Sequence, residues 1–353
     1  MIYSVGSLSV EGSPFEQGRK IGQCCAASIL ANIETVKELQ KDVENSKDYL
    51  SFINANAAYI FKNFPELEEE MQGIAEGSGI PFQQIVQLNV PAYFMTGEFA
   101  QECSMILVRS AASEDGKTYI IKNRDMRAPV RQMLIYRSYS DGSRIAEVSG
   151  IGTVTYPASG INSRGLAVTT TGFWSPKVKP DISAAGSSQI FLNIHLLLRK
   201  ASTVREALEL LHKMPVMNGL NLILADGKEA CAVEMTANNQ YIEWDQGDGI
   251  LYRTNHYISP ELVHLNPEYK EYTSTYFRRE RIGKLLADYY GHVRFQDLMR
   301  IASDHRNGVN SICRHPHGDV HAQTVSTTLM IVEDQEIWTT LTNPCEAMPH
   351  FEL

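Results

Sequence analysis

The hydrophobic period of this chain changes near residue 102, and this change limits the folds it can adopt. Before that point apolar residues recur at helical spacing, a pattern typical of helices packed on a core. After it apolar and polar residues alternate, and Asp-Gly pairs separate the strand-like runs as they do in hairpins. We therefore expect a helix-rich segment over residues 1–102 and a sheet-based portion over residues 103–353.

Helix-start and helix-stop signals divide the first segment. Ser13, Pro14 and Glu16 supply an N-cap, a first-turn proline and a capping-box carboxylate. Pro65 separates a second predicted helix from a third, which Gly77 and Gly79 are placed to end. The pattern thus predicts helices from residue 14, over 50–64, from 67 and over 81–89.

The second segment mixes strand and helix signals. Two blocks of strands with helices between them favour packed antiparallel sheets covered by helices. The predicted strands are 104–110, 119–123, 134–138, 144–148, 166–171, 220–225, 230–235, 325–332 and 336–341. The predicted helices are 189–199, 204–214 and 273–290.

Composition excludes several classes of protein. With 353 residues, 43% of them hydrophobic, the chain can bury a large core. Its net charge of −9 argues against a nucleic-acid partner. No apolar run is long enough to predict a membrane span, and no secretory signal is visible. Six cysteines without a CxxC pair favour a reduced protein, so we expect the cytoplasm.

Cys103 is the first candidate for chemistry, because it opens the strand that follows the change of period. A thiolate is a strong nucleophile near neutral pH, so a cysteine in this position can act in covalent catalysis. Most free cysteines, however, pack in a core. Alone, Cys103 therefore does not decide between the two interpretations.

Several downstream polar residues could complete a site around Cys103. Asn123 and Asp125 end the next strand, so a hairpin would return Asp125 beside the cysteine, although strand-end turns also favour these residue types. Asn255 follows a strand and presents an amide that could donate to an oxyanion. Arg278 and Arg281 lie on a predicted helix, where arginines by default form a solvated face.

The segment 313–321 contains the residue types of a metal site, with one cysteine and three histidines. Its spacing matches neither a helix-borne nor a CxxC-type ligand set, so we predict a polar loop and no metal. A metal-dependent hydrolase built on His315, His317 and His321 is kept as an alternative.

Taken together, the ordered motifs resemble a known family. They are the Gly-Ser-Pro-Phe-Glu-Gln-Gly start, Gly73-Ile-Ala-Glu-Gly, Cys103-Ser, Asn123-x-Asp, Asn162-Ser-x-Gly-Leu, Thr254-Asn-His, Ser274-Thr-x-x-Arg and Asn343-Pro-Cys-Glu. This order is similar to the acyl-coenzyme A:6-aminopenicillanic acid acyltransferase family, peptidase family C45, of the N-terminal-nucleophile (Ntn) hydrolases. The likeness extends over nearly the whole chain and remotely to bile-salt hydrolases and penicillin V acylases.

The resemblance implies a fold and a maturation step. The fold would be α+β, a four-layer αββα sandwich of two antiparallel sheets, with a helical N-terminal pro-segment. The precursor would cut itself between Glu102 and Cys103, which gives an α-chain of residues 1–102 and a β-chain of residues 103–353. The freed α-amino group, with a pKa of about 7.7–8.0, would then act as the base for its own thiol.

The resemblance also assigns roles to individual residues. Cys103 would be nucleophile and base, Asp125 would orient its hydrogen-bond network, and Asn255 would donate to the oxyanion. Arg278 matches the helix arginine near the thiol, with Arg281 as the fallback. Asn123 and Phe173 would contact substrate. The implied partner is a small acyl amide or acyl thioester, with no cofactor beyond acyl-coenzyme A as a possible acyl donor.

Two departures from the family leave other functions open. Glu102 stands where the fungal penicillin enzymes have glycine, which motivates a non-catalytic acyl-binding protein with an uncut chain. Lys122 stands where bile-salt relatives carry arginine, so no bile-salt or penicillin V specificity follows. A further alternative for the mechanism is a papain-like pair, in which His256 or His305 is the base for the Cys103 thiol.

Overall fold

The computed structural model describes residues 6–90, 102–126, 130–155, 158–172, 175, 177–178, 192–214, 219–270, 273–318 and 320–347. Its helices and strands follow one another along the chain in much the order that the sequence predicts. The helices are α1 (Pro14–Gln40), α2 (Lys47–Asn63), α3 (Pro65–Ser78), α4 (Phe82–Asn89), α5 (Leu192–Lys200), α6 (Val204–Lys213), α7 (Thr273–Tyr289), α8 (Phe295–Ala302) and α9 (Pro344–Ala347). The strands are β1 (Ser7–Glu11), β2 (Glu102–Val108), β3 (Tyr119–Met126), β4 (Gln132–Ser138), β5 (Arg144–Gly150), β6 (Ser159–Asn162), β7 (Ala167–Gly172), β8 (Leu220–Ala225), β9 (Ala230–Met235), β10 (Gln240–Trp244), β11 (Ile250–Arg253), β12 (Gln323–Ile331) and β13 (Glu336–Thr340).

Within the described ranges the strands form two sheets. One has eight strands in the order β1-β4-β5-β6-β7-β8-β9-β10, and the other has five in the order β11-β2-β3-β12-β13. All neighbouring strands are antiparallel except β1 and β4, which run parallel from the pair Ser7 and Leu134. The parallel pair lies at the edge of a sheet whose other described pairs are antiparallel, as the sequence predicts. Because α1 to α4 lie between β1 and β4 in sequence, the connection is long enough to return the chain in the same direction.

Three apolar layers hold the four-layer sandwich together. The helices α1 to α6 pack on one face of the eight-stranded sheet. The two sheets pack face to face through residues such as Met105, Ile120 and Ile223. The outer face of the five-stranded sheet packs on α7 and α8 through residues such as Ile106 and Ile121. The predicted αββα sandwich is therefore confirmed, and Cys103 belongs to a strand at the centre of it.

The helix-start signals act as the sequence predicts. The Ser13 hydroxyl accepts from the Glu16 backbone N–H, and the Glu16 carboxylate accepts from the Ser13 backbone N–H at 2.8 Å. Helix α3 ends at Gly79, whose φ of +70° lies in the left-handed region that favours glycine. No described helix has both the length and the apolar content that a membrane crossing requires.

Glycines set the close approach of α1 and α3. A Cβ on Gly73 would lie 2.1 Å from the carbonyl oxygen of Phe15, and one on Gly18 would lie 2.1 Å from the carbonyl oxygen of Glu70. Both atoms are backbone, so an added methyl group would force the two helices apart.

We predict that Gly73→Ala lowers the free energy of unfolding by at least the roughly 1–3 kcal/mol typical of overpacking. The loss exceeds the gain of about 1 kcal/mol in helix propensity from glycine to alanine. The midpoint of urea unfolding measures it. Gly227→Ala is the matched control, because its Cβ would meet open space and its φ is not positive. An equal effect of both substitutions would contradict the packing argument.

Candidate active site

Strand pairing places β3 and β11 on the two sides of β2, the strand that carries Cys103. Cys103 lies opposite Arg124 in the β2–β3 hairpin, and Glu102 lies opposite Asp125. On the other side of β2, Arg253 of β11 lies opposite Met105. The chain leaving β11 therefore runs past Cys103 and brings Asn255 beside it. Cys103 itself is fully buried.

The Asn255 side chain holds the backbone nitrogen of Cys103. Its Oδ1 accepts from the Cys103 N–H at 2.7 Å and from the Arg278 guanidinium at 2.9 Å. Its Nδ2 donates to the carbonyl oxygen of Gly172 at 2.7 Å. Both partners of Oδ1 can only donate, and the partner of Nδ2 can only accept, so this network fixes the orientation of the amide. Among the residues that the structure describes, Nδ2 has this one acceptor, so its second hydrogen remains for a further acceptor.

Arg278 joins α7 to the start of β2. Its guanidinium is fully buried and donates to the Cys103 carbonyl oxygen, to Ser104 Oγ at 2.9 Å and, through Nε, to Ser274 Oγ at 3.1 Å. Arg281, one turn further along α7, instead donates to the Asp304 carboxylate at 2.7 Å. The helix arginine that contacts the cysteine is therefore Arg278 and not Arg281.

Lys122, which differs from the arginine of the bile-salt relatives, is a buried cation close to the thiol. Met105 and Ile120 face the space between the sheets, so alternation puts Cys103 and Lys122 on that same face. Lys122 Nζ donates to the carbonyl oxygens of Ala158, at 3.2 Å, and Thr170. Burial lowers the pKa of Lys122 to about 8, while the nearby Cys103 thiolate and Asp125 oppose that shift. A lysine at an inward position of an apolar strand was the signal that could have revealed it.

Asp125 is a buried carboxyl group on the hairpin opposite Glu102. Its Oδ1 accepts from Thr324 Oγ1 at 2.7 Å, whereas Oδ2 has no partner among the described residues. Burial raises the pKa of Asp125 to about 7, although the positive charge of Arg278, the Thr324 hydrogen bond and the charge of Lys122 favour the carboxylate. The carboxyl group therefore titrates near neutral pH.

We predict that Asp125→Asn removes a pH-dependent loss of stability. Between pH 3.8 and about 7 the folded protein keeps the Asp125 proton that the unfolded chain releases, so stability falls as pH rises through this window. At about 1.4 kcal/mol per pKa unit the loss is on the order of 4 kcal/mol. Lys122 titrates above this window.

Urea unfolding from pH 3 to 8 measures the effect, with and without Asp125→Asn, on a Cys103→Ala background that keeps the chain uncut. As the pH rises from 3 to 8, the stability of the Asp125→Asn variant should increase relative to that of the protein with Asp125. A difference that stays constant from pH 3 to 8 would show that Asp125 has an ordinary pKa.

The two predicted substrate contacts have different outcomes. The Asn123 amide donates to the carbonyl oxygens of Ala302 and Ile312 at 2.8 and 3.0 Å and accepts from Thr327 Oγ1 at 2.7 Å. These bonds attach β3 to the helical layer and engage the Asn123 side chain within the protein. Phe173 lies outside the described residues.

The histidines proposed as a catalytic base lie in other networks. His256 Nδ1 lies 2.8 Å from Thr275 Oγ1 and 3.1 Å from Thr254 Oγ1. Burial lowers the pKa of His256 to about 3, and the neighbouring arginines add to the shift. His305 Nε2 lies 3.2 Å from His315 Nε2. Within the described residues, no histidine is hydrogen-bonded to the Cys103 thiol, so the geometry does not support a papain-like pair.

The alternative metal set is not assembled. Among the described residues, His315 forms a ligand-competent group with His305, Cys313 and Cys345, and this group does not include His317 or His321. The trio expected for a metal hydrolase is therefore wrong as a set.

The comparisons with known proteins add a family. A family profile described as acyl-coenzyme A:6-aminopenicillanic acid acyl-transferase matches residues 112–346. The match includes Asp125, Asn255 and Arg278 and begins after Cys103. No curated protein sequence matches the chain. Among solved structures, penicillin V acylase from Agrobacterium tumefaciens is similar, with 17% identity, a TM-score of 0.44 and coverage of 68% of this chain and 83% of that chain.

Proposed function

Because the chain belongs to the acyl-coenzyme A:6-aminopenicillanic acid acyltransferase family, we propose that it is a self-processing enzyme with an N-terminal cysteine. It takes an acyl group from a non-peptide carbon–nitrogen bond onto the Cys103 thiol. The observation that carries the proposal is the double contact of Asn255 Oδ1 with the Cys103 nitrogen and with Arg278. This contact holds the nitrogen that becomes the catalytic amine.

Self-cleavage comes first. Cys103 Sγ attacks the carbonyl carbon of Glu102, the peptide carbon–nitrogen bond breaks, and the Cys103 nitrogen takes the thiol proton. A thioester then joins Glu102 to Cys103 Sγ. Water hydrolyses this thioester, which leaves a carboxylate on Glu102 and both a thiol and a free amine on Cys103. The products are the two chains 1–102 and 103–353.

The freed amine then serves as the base. An α-amino group has a pKa of about 7.7–8.0, close to neutral pH. The positive charge of Arg278, which contacts both the Cys103 carbonyl oxygen and Asn255, disfavours a second positive charge on this amine and keeps more of it neutral. The Lys122 ammonium lies on the same face of the hairpin as the thiol and adds a second positive charge near the reacting atoms.

The thiolate attacks the substrate carbonyl carbon and forms a tetrahedral intermediate. We assign the remaining Nδ2 hydrogen of Asn255 as the donor to its oxyanion. Loss of one such donor lowers kcat about 100- to 1000-fold in enzymes that use an oxyanion hole. The ammonium of Cys103 gives its proton to the leaving amine, and the acyl group stays on Sγ as a thioester until water or an amine accepts it.

The substrate is a small acyl amide or acyl thioester. The reaction requires no cofactor. Acyl-coenzyme A would be a substrate that donates the acyl group, and water is always available as the acceptor. All six cysteines are free of disulfides in this structure, and we place the protein in the cytoplasm.

A panel of acyl amides tests the activity. The panel should include β-lactam side-chain amides, N-acyl amino acids and acyl amines, and released amine is measured with an amine-reactive dye. We expect turnover of at least one class by processed protein and none by Cys103→Ala. Saturable binding of these compounds without turnover or thiol alkylation would instead identify the non-catalytic acyl-binding alternative.

A further inference from the structure

Four side chains outside the network around Cys103 converge near the start of β12. His305 follows α8, Cys313 and His315 precede β12, and Cys345 lies in α9. The nitrogen or sulfur atoms that each offers lie within 4.8 Å of one another. His305 and His315 are exposed and Cys313 is buried, so an ion could reach the group from solvent.

Four of the six distances between these atoms are close to those expected around a tetrahedral ion. With Zn–S bonds of about 2.3 Å and Zn–N bonds of about 2.0–2.1 Å, tetrahedral angles separate two sulfurs by about 3.8 Å, two nitrogens by about 3.3 Å and a mixed pair by about 3.6 Å. Here the two sulfurs are 3.8 Å apart and the two Nε2 atoms 3.2 Å. His315 Nε2 lies 3.3 Å from Cys345 Sγ and 3.9 Å from Cys313 Sγ.

We propose that His305, Cys313, His315 and Cys345 bind one zinc ion as a structural Cys₂His₂ site. A disulfide between Cys313 and Cys345 would account for two of these side chains but not for two imidazoles that face each other and the sulfurs. Four protein ligands fill the tetrahedron, so the ion has no open position for a substrate. Binding replaces the two thiol protons with metal–sulfur bonds.

The surrounding bonds hold the ligands in place. The Cys313 backbone N–H donates to the carbonyl oxygen of Asp304 at 3.0 Å, which fixes Cys313 next to the residue that precedes His305. Asn343 Nδ2 donates to the carbonyl oxygen of Arg314 at 2.7 Å and lies 3.7 Å from Cys313 Sγ, within reach of an N–H···S bond. Such outer partners orient ligands and support metal affinity.

The site has a physical connection to the hairpin that carries Asp125. Arg314 lies between the ligands Cys313 and His315, and its N–H donates to Thr324 Oγ1 at 2.9 Å. Thr324 Oγ1 in turn donates to Asp125 Oδ1 at 2.7 Å. Zinc would thus fix α9, the segment before β12 and the strand end beside Asp125 as one unit.

Metal analysis of the purified full chain tests the site. We expect about one zinc per chain under reducing conditions, its loss on chelation, and a lower melting temperature of the metal-free protein. Cobalt added to that protein should give the visible absorption of a tetrahedral thiolate complex. Two ligand variants, Cys345→Ser and His305→Ala, should each lower the zinc affinity. The loss should exceed the roughly 10- to 100-fold that is typical when a residue hydrogen-bonded to a metal ligand is removed. Addition of a chelator should not lower the melting temperature of either variant.

His317→Ala and His321→Ala are the matched controls and should bind metal like the wild type. All measurements are repeated on Cys103→Ala, where the same stoichiometry is expected, so that a failure of self-cleavage and a failure of metal binding are distinguishable. The proposal is overturned if the reduced chain binds neither zinc nor cobalt. It is equally overturned if fresh protein contains a Cys313–Cys345 disulfide, or if the control variants lose metal as the ligand variants do.

Discussion

Cys103→Ala should remain a single chain of 39.5 kDa and lose all acyl transfer, whereas the wild type should yield chains 1–102 and 103–353. The substitution removes the attacking sulfur and leaves the backbone nitrogen that Asn255 holds at 2.7 Å. Cleavage and catalysis use the same atom, so both are lost together. Intact mass spectrometry and N-terminal sequencing of the second chain measure the result.

Cys231→Ala is the matched control for this experiment. Cys231 is equally buried, and burial raises the pKa of its thiol to about 12, so it stays a neutral core side chain. Its removal should leave processing intact. Cleavage of Cys103→Ala at the same bond would refute the proposal, and so would a wild-type chain that stays uncut and does not react with thiol reagents.

Arg278→Lys should lower both the rate of self-cleavage and kcat by at least about 100-fold, comparable to the loss of an oxyanion donor. The guanidinium reaches the Cys103 carbonyl oxygen, Ser104 Oγ and Asn255 Oδ1 at once, in directions that one ammonium group cannot match. Asn255 Oδ1 then loses one of its two donors and keeps only the Cys103 N–H. Time courses of precursor conversion and amine release measure the two rates.

Arg281→Lys is the control on the same helix. Arg281 forms an ion pair with Asp304 at a partly buried site, and a lysine in its place can keep that ion pair. The rates of self-cleavage and amine release should therefore stay close to wild type. Ser274→Ala removes only the Nε acceptor of Arg278 and should give an intermediate loss. Melting curves of each variant separate misfolding from lost chemistry. Equal losses in the Arg278 and Arg281 variants would show that the assignment between them is wrong.

Local sequence signals determined much of the fold. Cap and proline signals predicted the start of α1, and the change to alternating apolar residues predicted β2, β3, β8 and β9 close to their observed bounds. These signals succeed because helix ends and hairpin strands depend on neighbouring residues. The elements that were missed include the short strand β6 and the helix α8. Strand β6 has four residues, too few to show a clear alternation of apolar and polar side chains. Helix α8 lies in a stretch without a recognised helix-start signal.

The sequence also determined part of the site. Asp125 was expected beside Cys103 because two consecutive strands form a hairpin, and the register puts Asp125 opposite Glu102. The sequence could not decide which arginine of α7 faces the cysteine. Arg278 and Arg281 are one turn apart, and only the packing of α7 on β2 buries one and leaves the other beside Asp304.

The tertiary structure alone decided the two features with the largest consequences. An inward lysine on an apolar strand can be read from the sequence, but only the packing of the two sheets supplies the carbonyl oxygens of Ala158 and Thr170 that bind the Lys122 ammonium. The spacing within residues 313–321 predicted no metal site, because spacing describes only ligands that are near in sequence. His305 and Cys345 reach Cys313 and His315 from other elements. A chain fixes its local conformation through adjacent residues, but contacts between distant residues exist only after the sheets and helices have packed.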